Sequence, residues 1–176
     1  MRFIYLLFPL LMLGACKTQQ MTDKTSSEKK TSILKPGACP ESGSCDVKIH
    51  KNSMMTIMTD DTGATYPEIH TGKNTVVEFS FMRKGPEGTA DGNYSETLHF
   101  EIPSNTKTLS LQDNGLAEVK MLWGKHCYCK GEAGYYGVNN GKLKVNRTDN
   151  ELTFDAKFKI DGREQVISHI IRTAKL

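Results

Sequence analysis

The chain has 176 residues, a length that suits one domain with short additional segments. Its 23 lysines and arginines nearly balance its 20 aspartates and glutamates. This balance gives no electrostatic reason to expect nucleic acid as a partner, and we expect none.

The amino-terminal segment has the organisation of an export signal. Arg2 is followed by an apolar run from Phe3 to Leu13 and then by the string Leu13-Gly14-Ala15-Cys16. Small residues before a cleavage point are typical of secretory signal peptides. The apolar run is also much shorter than the roughly 20 residues that a membrane-spanning helix needs. We therefore predict a signal peptide over residues 1–15.

The string that ends at Cys16 resembles the lipobox of bacterial lipoproteins. The resemblance covers only residues 1–16 and implies that the Cys16 thiol receives a diacylglycerol, that the chain is cut before Cys16, and that the new amino terminus is acylated. In enteric members an aspartate after the cysteine causes retention in the inner membrane, whereas Lys17 stands here. The resemblance thus implies a protein of the bacterial cell envelope, held by lipid, at the outer membrane.

Residues 16–36 are predicted to comprise the lipidated cysteine and a flexible tether. Its composition is mainly Lys, Thr, Gln, Ser and Glu, and only Met21, Ile33 and Leu34 are large and apolar. Such a segment cannot bury enough surface to offset the entropy of ordering it. A flexible chain of about 20 residues reaches roughly 25 Å, which is enough to hold a domain clear of the lipid headgroups.

Residues 37–176 are predicted to form a single β-rich domain. Apolar and polar residues alternate most clearly from Leu152 to Ile160, which predicts a half-buried strand. Further strands are predicted around these apolar positions: Val47 and Ile49, Met55 and Ile57, Val77 to Phe81, Leu98 to Ile102, Leu109 and Leu111, Leu116 to Trp123, Leu143 and Val145, and Arg163 to Arg172.

Turn signals separate these strands. Asn114-Gly115, Asn140-Gly141 and Asp161-Gly162 are dipeptides that favour tight hairpin turns, and no segment has an apolar period of helix length. Eight or nine short strands joined in this way predict an all-β fold, an antiparallel β-sandwich, with a small β-barrel as the alternative.

Four cysteines remain in the predicted domain: Cys39, Cys45, Cys127 and Cys129. An exported domain meets an oxidising compartment, so disulfides are the expectation. A bond between Cys127 and Cys129 would close a very small ring, so we expect both to bridge to the Cys39–Cys45 segment. A local Cys39–Cys45 bond is the alternative.

Metal and redox chemistry are alternatives for the same cysteines. Together with His126 they could supply soft ligands to zinc or copper, and the Cys127/Cys129 pair could act as a reactive thiol pair. Met54, Met55 and Met58 with His50 form a further copper hypothesis. The spacings match no common metal motif, so we expect no metal and no cofactor.

The best candidate binding residues are Tyr135, Tyr136 and the nearby His126. Adjacent strand residues face opposite sides, so one tyrosine is expected in the core and the other outward. The chain has none of the familiar catalytic motifs. We therefore expect a non-enzymatic envelope lipoprotein that binds an envelope protein or glycan; the alternative is a metal-binding or thiol-redox accessory lipoprotein.

Overall fold

The computed structural model describes residues 37–176, which form two antiparallel β-sheets packed face to face. In chain order the strands are β1 Ser44–Thr59, β2 Thr65–Arg83, β3 Tyr94–Pro103, β4 Thr108–Gln112, β5 Leu122–His126, β6 Gly134–Gly137, β7 Gly141–Arg147, β8 Glu151–Phe158 and β9 His169–Lys175. One sheet has the order β1-β2-β3-β5-β6 and the other β4-β7-β8-β9. The predicted β-sandwich is confirmed, and its sheets do not close into a barrel.

The core lies between the two sheets and is built from alternate residues of nearly every strand. Phe100 of β3 meets Phe154 of β8 edge to face, with ring centroids 5.4 Å apart, so this aromatic contact joins the sheets. Trp123 is fully buried beside them. Burying a large apolar side chain contributes about 1.5–3 kcal/mol, and the core contains more than a dozen. This apolar burial holds the sandwich together.

The first strand corrects the expectation of two short strands near Val47 and Met55. β1 is one continuous strand of 16 residues, paired with β2 along its whole length. An irregularity in register at Ser53 interrupts the pairing, and Asn52 has a φ of 50° there. In the sequence, the polar residues at this bulge suggest a loop between two strands. In the structure the strand continues through them with a bend.

The segment after Asn114-Gly115 is also different from the expectation. Residues Asp113–Val119 form a 3-10 helix instead of a hairpin turn, and β5 begins only at Leu122. The helix buries Leu116 and Val119 at the edge of the core. Their spacing of three residues matches one 3-10 turn, a pattern too short to distinguish from a strand by periodicity alone.

The predicted hairpin at Asp161-Gly162 has a longer connection than a tight turn. A turn is present there, with Gly162 at a φ of 70°, and the strands on either side pair as predicted. However, β9 begins at His169, so residues 159–168 form a loop between the strands. Buried Ile160 and Ile167 hold this loop against the core.

An arm extends from the five-stranded sheet where β1 and β2 run beyond the end of β3. We define the β1–β2 arm as residues 53–71. The backbone N–H of Met55 donates to Glu101 Oε2 at 2.8 Å, and Lys120 Nζ donates to the Met55 carbonyl at 2.7 Å and to the same carboxylate at 2.8 Å. Thr65 Oγ1 donates to the Tyr135 carbonyl at 3.2 Å. These bonds hold the arm against the outer face of the sheet.

Both disulfides are local, which corrects the expected bridges between the two cysteine pairs. Cys39 bonds to Cys45 and Cys127 bonds to Cys129, with Cα atoms 5.8 Å and 5.2 Å apart. Cys45 lies on β1, and the Cys127–Cys129 pair follows β5, so β2 and β3 stand between them. Strands lie about 4.8 Å apart, so the gap is roughly 14 Å, too far for a disulfide. The alternative pairing, Cys39–Cys45, is present.

Candidate functional site

A patch of polar and aromatic side chains lies on the outer face of the five-stranded sheet. We define the outer-face patch as Glu78, Thr97, His99, His126 and Tyr135. Glu78 pairs with His99 across β2 and β3, and Thr97 is two residues before His99 on the same face. The rings of His126 and Tyr135 meet nearly at right angles, with centroids 5.1 Å apart. Two of the three predicted binding residues therefore lie side by side.

The Tyr135 ring lies directly on the backbone of Gly124, the residue opposite it on β5. A Cβ at Gly124 would lie 2.5 Å from Tyr135 Cε1 and 2.6 Å from Thr97 Oγ1, so a larger residue would displace the ring. The ring also stands 6.0 Å from the His99 ring, centroid to centroid. Because Gly124 has no side chain, the Tyr135 ring fits against its backbone and lies close to the rings of both His99 and His126.

One buried polar atom of the patch has unused hydrogen-bonding capacity. His99 is only 5% exposed, and its Nδ1 has no hydrogen-bond partner within residues 37–176. A buried polar atom without a partner costs about 1–3 kcal/mol. Exceptions of this kind in a well-packed sheet need an explanation, and a ligand group that completes the bond is one.

The rings of the patch are uncharged at neutral pH. Burial lowers the pKa of His99, and the neighbouring His50 and His126 act in the same direction while Glu78 opposes them. Burial also lowers the pKa of His126 and raises the pKa of Tyr135. Each shift favours the neutral form of the side chain at pH 7. The patch therefore presents neutral donors, neutral acceptors and aromatic surface.

Glu78 carries the single carboxylate of the patch, and two side chains of β1 offset its negative charge. His50 Nε2 lies 3.0 Å from Glu78 Oε2, and Lys48 Nζ lies 3.4 Å from Oε1. Burial alone would raise the pKa of Glu78, but the hydrogen bond from His50 and the charge of Lys48 outweigh it and lower the pKa. Glu78 is thus ionised and paired, and adds little net charge to the patch.

Tyr136, the third predicted binding residue, faces the core. Its ring centroid is 5.8 Å from that of Trp123, and its hydroxyl donates to the Glu132 carbonyl at 3.1 Å. The Arg163 guanidinium lies over the Tyr136 ring, 4.7 Å from its centroid. The two tyrosines thus point to opposite sides of β6, as the alternation predicts, and Tyr136 has a structural role apart from the patch.

The metal hypotheses find no geometric support in the described part of the chain. Residues 37–176 contain no group of three or more His, Cys, Asp or Glu side chains placed to hold a metal ion. The four cysteines are bonded in pairs instead of standing with His126 as thiolates. Met54 and Met58 lie on one face of β1 and the buried Met55 on the other, so the three thioethers do not share one face.

Three residues of the patch were not predicted as site residues: Glu78, Thr97 and His99. Alternation along their strands does place each of them opposite a core residue, so their outward direction could be read from the sequence. Their meeting with His126 and Tyr135 depends on β3 pairing with β5, across the 3-10 helix. A single sequence carries no local signal for that pairing.

Two further findings bear on identity. No helix within residues 37–176 has the length and apolar character needed to cross a membrane. No protein-family model matches the chain, and no significant match is found among curated protein sequences or solved structures.

Proposed function

We propose that this chain is a non-enzymatic, lipid-anchored protein of the bacterial envelope whose outer-face patch binds a glycan. The lipobox-like string that ends at Cys16 and the polar tether after it support the envelope location. Both lie outside the residues that the structure describes. The binding half of the proposal is carried by one observation, the unpartnered Nδ1 of His99, whose ring centroid lies 6.0 Å from that of Tyr135.

The chemistry of the patch favours a glycan over a charged partner. Its histidines and tyrosine are neutral at pH 7, and its carboxylate is paired. Neutral hydrogen-bonding groups around aromatic surface suit a ligand with many hydroxyls and exposed C–H faces. A strongly charged partner would find no opposite charge at the patch to offset its loss of hydration.

A ligand hydroxyl can complete the bonding of His99 when the Tyr135 ring shifts to admit it and packs against the ligand. Tyr135 is on the short edge strand β6, which has a glycine at each end, Gly134 and Gly137. Gly134 has a φ of 137°, a conformation open mainly to glycine. The ring thus lies on an edge strand, whereas His99 and Thr97 lie on the central strand β3.

The test is a binding titration of the full-length lipoprotein in detergent with purified peptidoglycan fragments and lipopolysaccharide oligosaccharides, followed by calorimetry. We expect Tyr135→Ala and His126→Ala each to weaken binding of the preferred glycan at least tenfold, because each removes a ring of the patch. Lys157→Ala, on the outer face of the other sheet, is the matched control and should bind like the wild type.

Two results would contradict the proposal. One is equal glycan affinity for the wild type and both patch variants, which would move any binding elsewhere on the molecule. The other is an absence of glycan binding together with a purified envelope protein that binds the wild type and loses affinity for Tyr135→Ala. That outcome would assign the patch to a protein partner.

A further inference from the structure

The second disulfide, Cys127–Cys129, differs from the first in what it joins. Its ring encloses only Tyr128, directly after the end of β5. The Cys39–Cys45 bond instead connects the start of the domain to β1, where Cys45 packs against the core. A link between residues two apart constrains the unfolded chain very little, because the closed loop is minimal. The Cys127–Cys129 bond therefore has little structural purpose.

This disulfide is placed for access from solvent. Tyr128 is 90% exposed, and an open depression is lined by Cys127, Tyr128, Cys129 and Lys130. A second depression is lined in part by Cys127, Tyr128 and Arg83. The disulfide therefore lies at the surface, where a thiol of a small molecule or of a flexible protein segment can approach it.

Two cations line these depressions together with the cysteines. The exposed Lys130 follows Cys129 in the chain and lines the first depression, and Arg83 lines the second one, which Cys127 also lines. Positive charge near a cysteine favours its thiolate, which makes it a better leaving group when the disulfide is attacked. Asp91 also lines the second depression, so the charged residues that line the two depressions are two cations, Lys130 and Arg83, and one anion.

We propose that Cys127–Cys129 is an exchange-active disulfide that accepts electrons from thiols. A thiolate attacks one sulfur, a new S–S bond forms to it, the Cys127–Cys129 bond breaks, and the displaced cysteine leaves as a thiolate that takes a proton from water. Attack by a second thiol on the mixed disulfide releases the other cysteine. In sum, two thiols are oxidised to one disulfide, and the pair is reduced to two thiols. This proposal is independent of the glycan site.

The test compares the two disulfides within one molecule. Full-length protein in detergent is equilibrated in glutathione redox buffers, free thiols are alkylated, and each cysteine is quantified by mass spectrometry. We expect Cys127–Cys129 to be half reduced at a value of [GSH]²/[GSSG] at least tenfold lower than Cys39–Cys45 requires. Equal values, the reverse order, or isolated protein with Cys127 and Cys129 bonded to other cysteines would overturn the proposal.

Single-cysteine variants test the proposed intermediate. Cys127→Ser leaves Cys129 alone, and we expect Cys129 to form a mixed disulfide with oxidised glutathione. Lys130→Gln in the same background should slow that reaction several-fold, whereas the control Lys142→Gln, on the other sheet, should not. Failure to form the mixed disulfide in a variant whose Cys39–Cys45 bond and far-ultraviolet spectrum are unchanged would also overturn the proposal, because folding is then not the cause.

Discussion

At the level of single residues, the two histidines of the outer-face patch link burial to proton binding. Burial lowers the pKa of both His99 and His126 below the ordinary value. The unfolded chain then takes up protons at a higher pH than the folded chain does. Stability from these groups is fully present above the unfolded histidine pKa of about 6.5 and is lost as the pH falls below it.

We therefore predict that the free energy of unfolding decreases as the pH is lowered from 7 to 5. Urea melts of the wild type at pH 7, 6 and 5 measure it. His99→Gln should show a smaller decrease, because it removes one of the two groups. Glu78, whose pKa is lowered, contributes only at more acidic pH. A stability that rises between pH 7 and pH 5 would contradict the assignment.

Some residues that organise the fold have no local signal in the sequence. Glu96 is 1% exposed and accepts hydrogen bonds from Trp123 Nε1 at 3.3 Å and from the backbone N–H groups of Val166 and Ile167 at 2.6 and 2.9 Å. Its carboxylate thereby ties β3 to the loop before β9. The sequence does not predict this role, because Glu96 looks like any charged strand residue and the groups that donate to it lie about 30 and 70 residues away in the chain.

At the level of elements, β8 shows how well alternation predicts direction. Phe154 and Phe158 are buried, as their positions in the run from Leu152 to Ile160 predict, whereas Lys157 is exposed on the opposite face. The strand is central in its sheet, paired with β7 on one side and β9 on the other. One face of it therefore packs on the core and the other meets water.

We predict that Phe154→Ala lowers the free energy of unfolding by about 3–5 kcal/mol, because it leaves a cavity where Phe154 contacts Phe100. Phe158→Ala should fall in the same range. Lys157→Ala, on the solvent face, should change the free energy by no more than about 0.5 kcal/mol. Denaturant melts with a common slope measure all three, and equal losses at Phe158 and Lys157 would contradict the half-buried strand.

The β1–β2 arm marks where prediction from alternation ends. Its strands are visible in the sequence as apolar residues at Met55 and Ile57, but its bend over the sheet depends on polar contacts. Glu101, which anchors the arm, accepts from the Met55 N–H and from Lys120 Nζ, residues far away in the chain. Periodicity reports which residues face a core; it carries no information on how a hairpin turns back over its own sheet.

At the level of the whole molecule, the first disulfide lies close to the point where the described part of the chain begins. The chain enters the domain beside β9, where the Ile171 N–H and Arg172 Nη1 both donate to the Gly37 carbonyl. The Cys39–Cys45 bond then holds the following residues against β1. The entry point is thus covalently fixed within a few residues of the predicted tether. If the tether is present as predicted, a force along it would reach the edge strands β1 and β9.

The last prediction concerns the anchor. We expect Cys16 to carry lipid, so the wild type should incorporate labelled palmitate and enter the detergent phase, because more than one acyl chain gives stable anchoring. Cys16→Ser should incorporate no label and should be either released or left unprocessed with its signal peptide. Cys39→Ser is the matched control: it removes a different cysteine and should keep the label. A processed Cys16→Ser protein that still enters the detergent phase would contradict lipid anchoring as the means of membrane attachment.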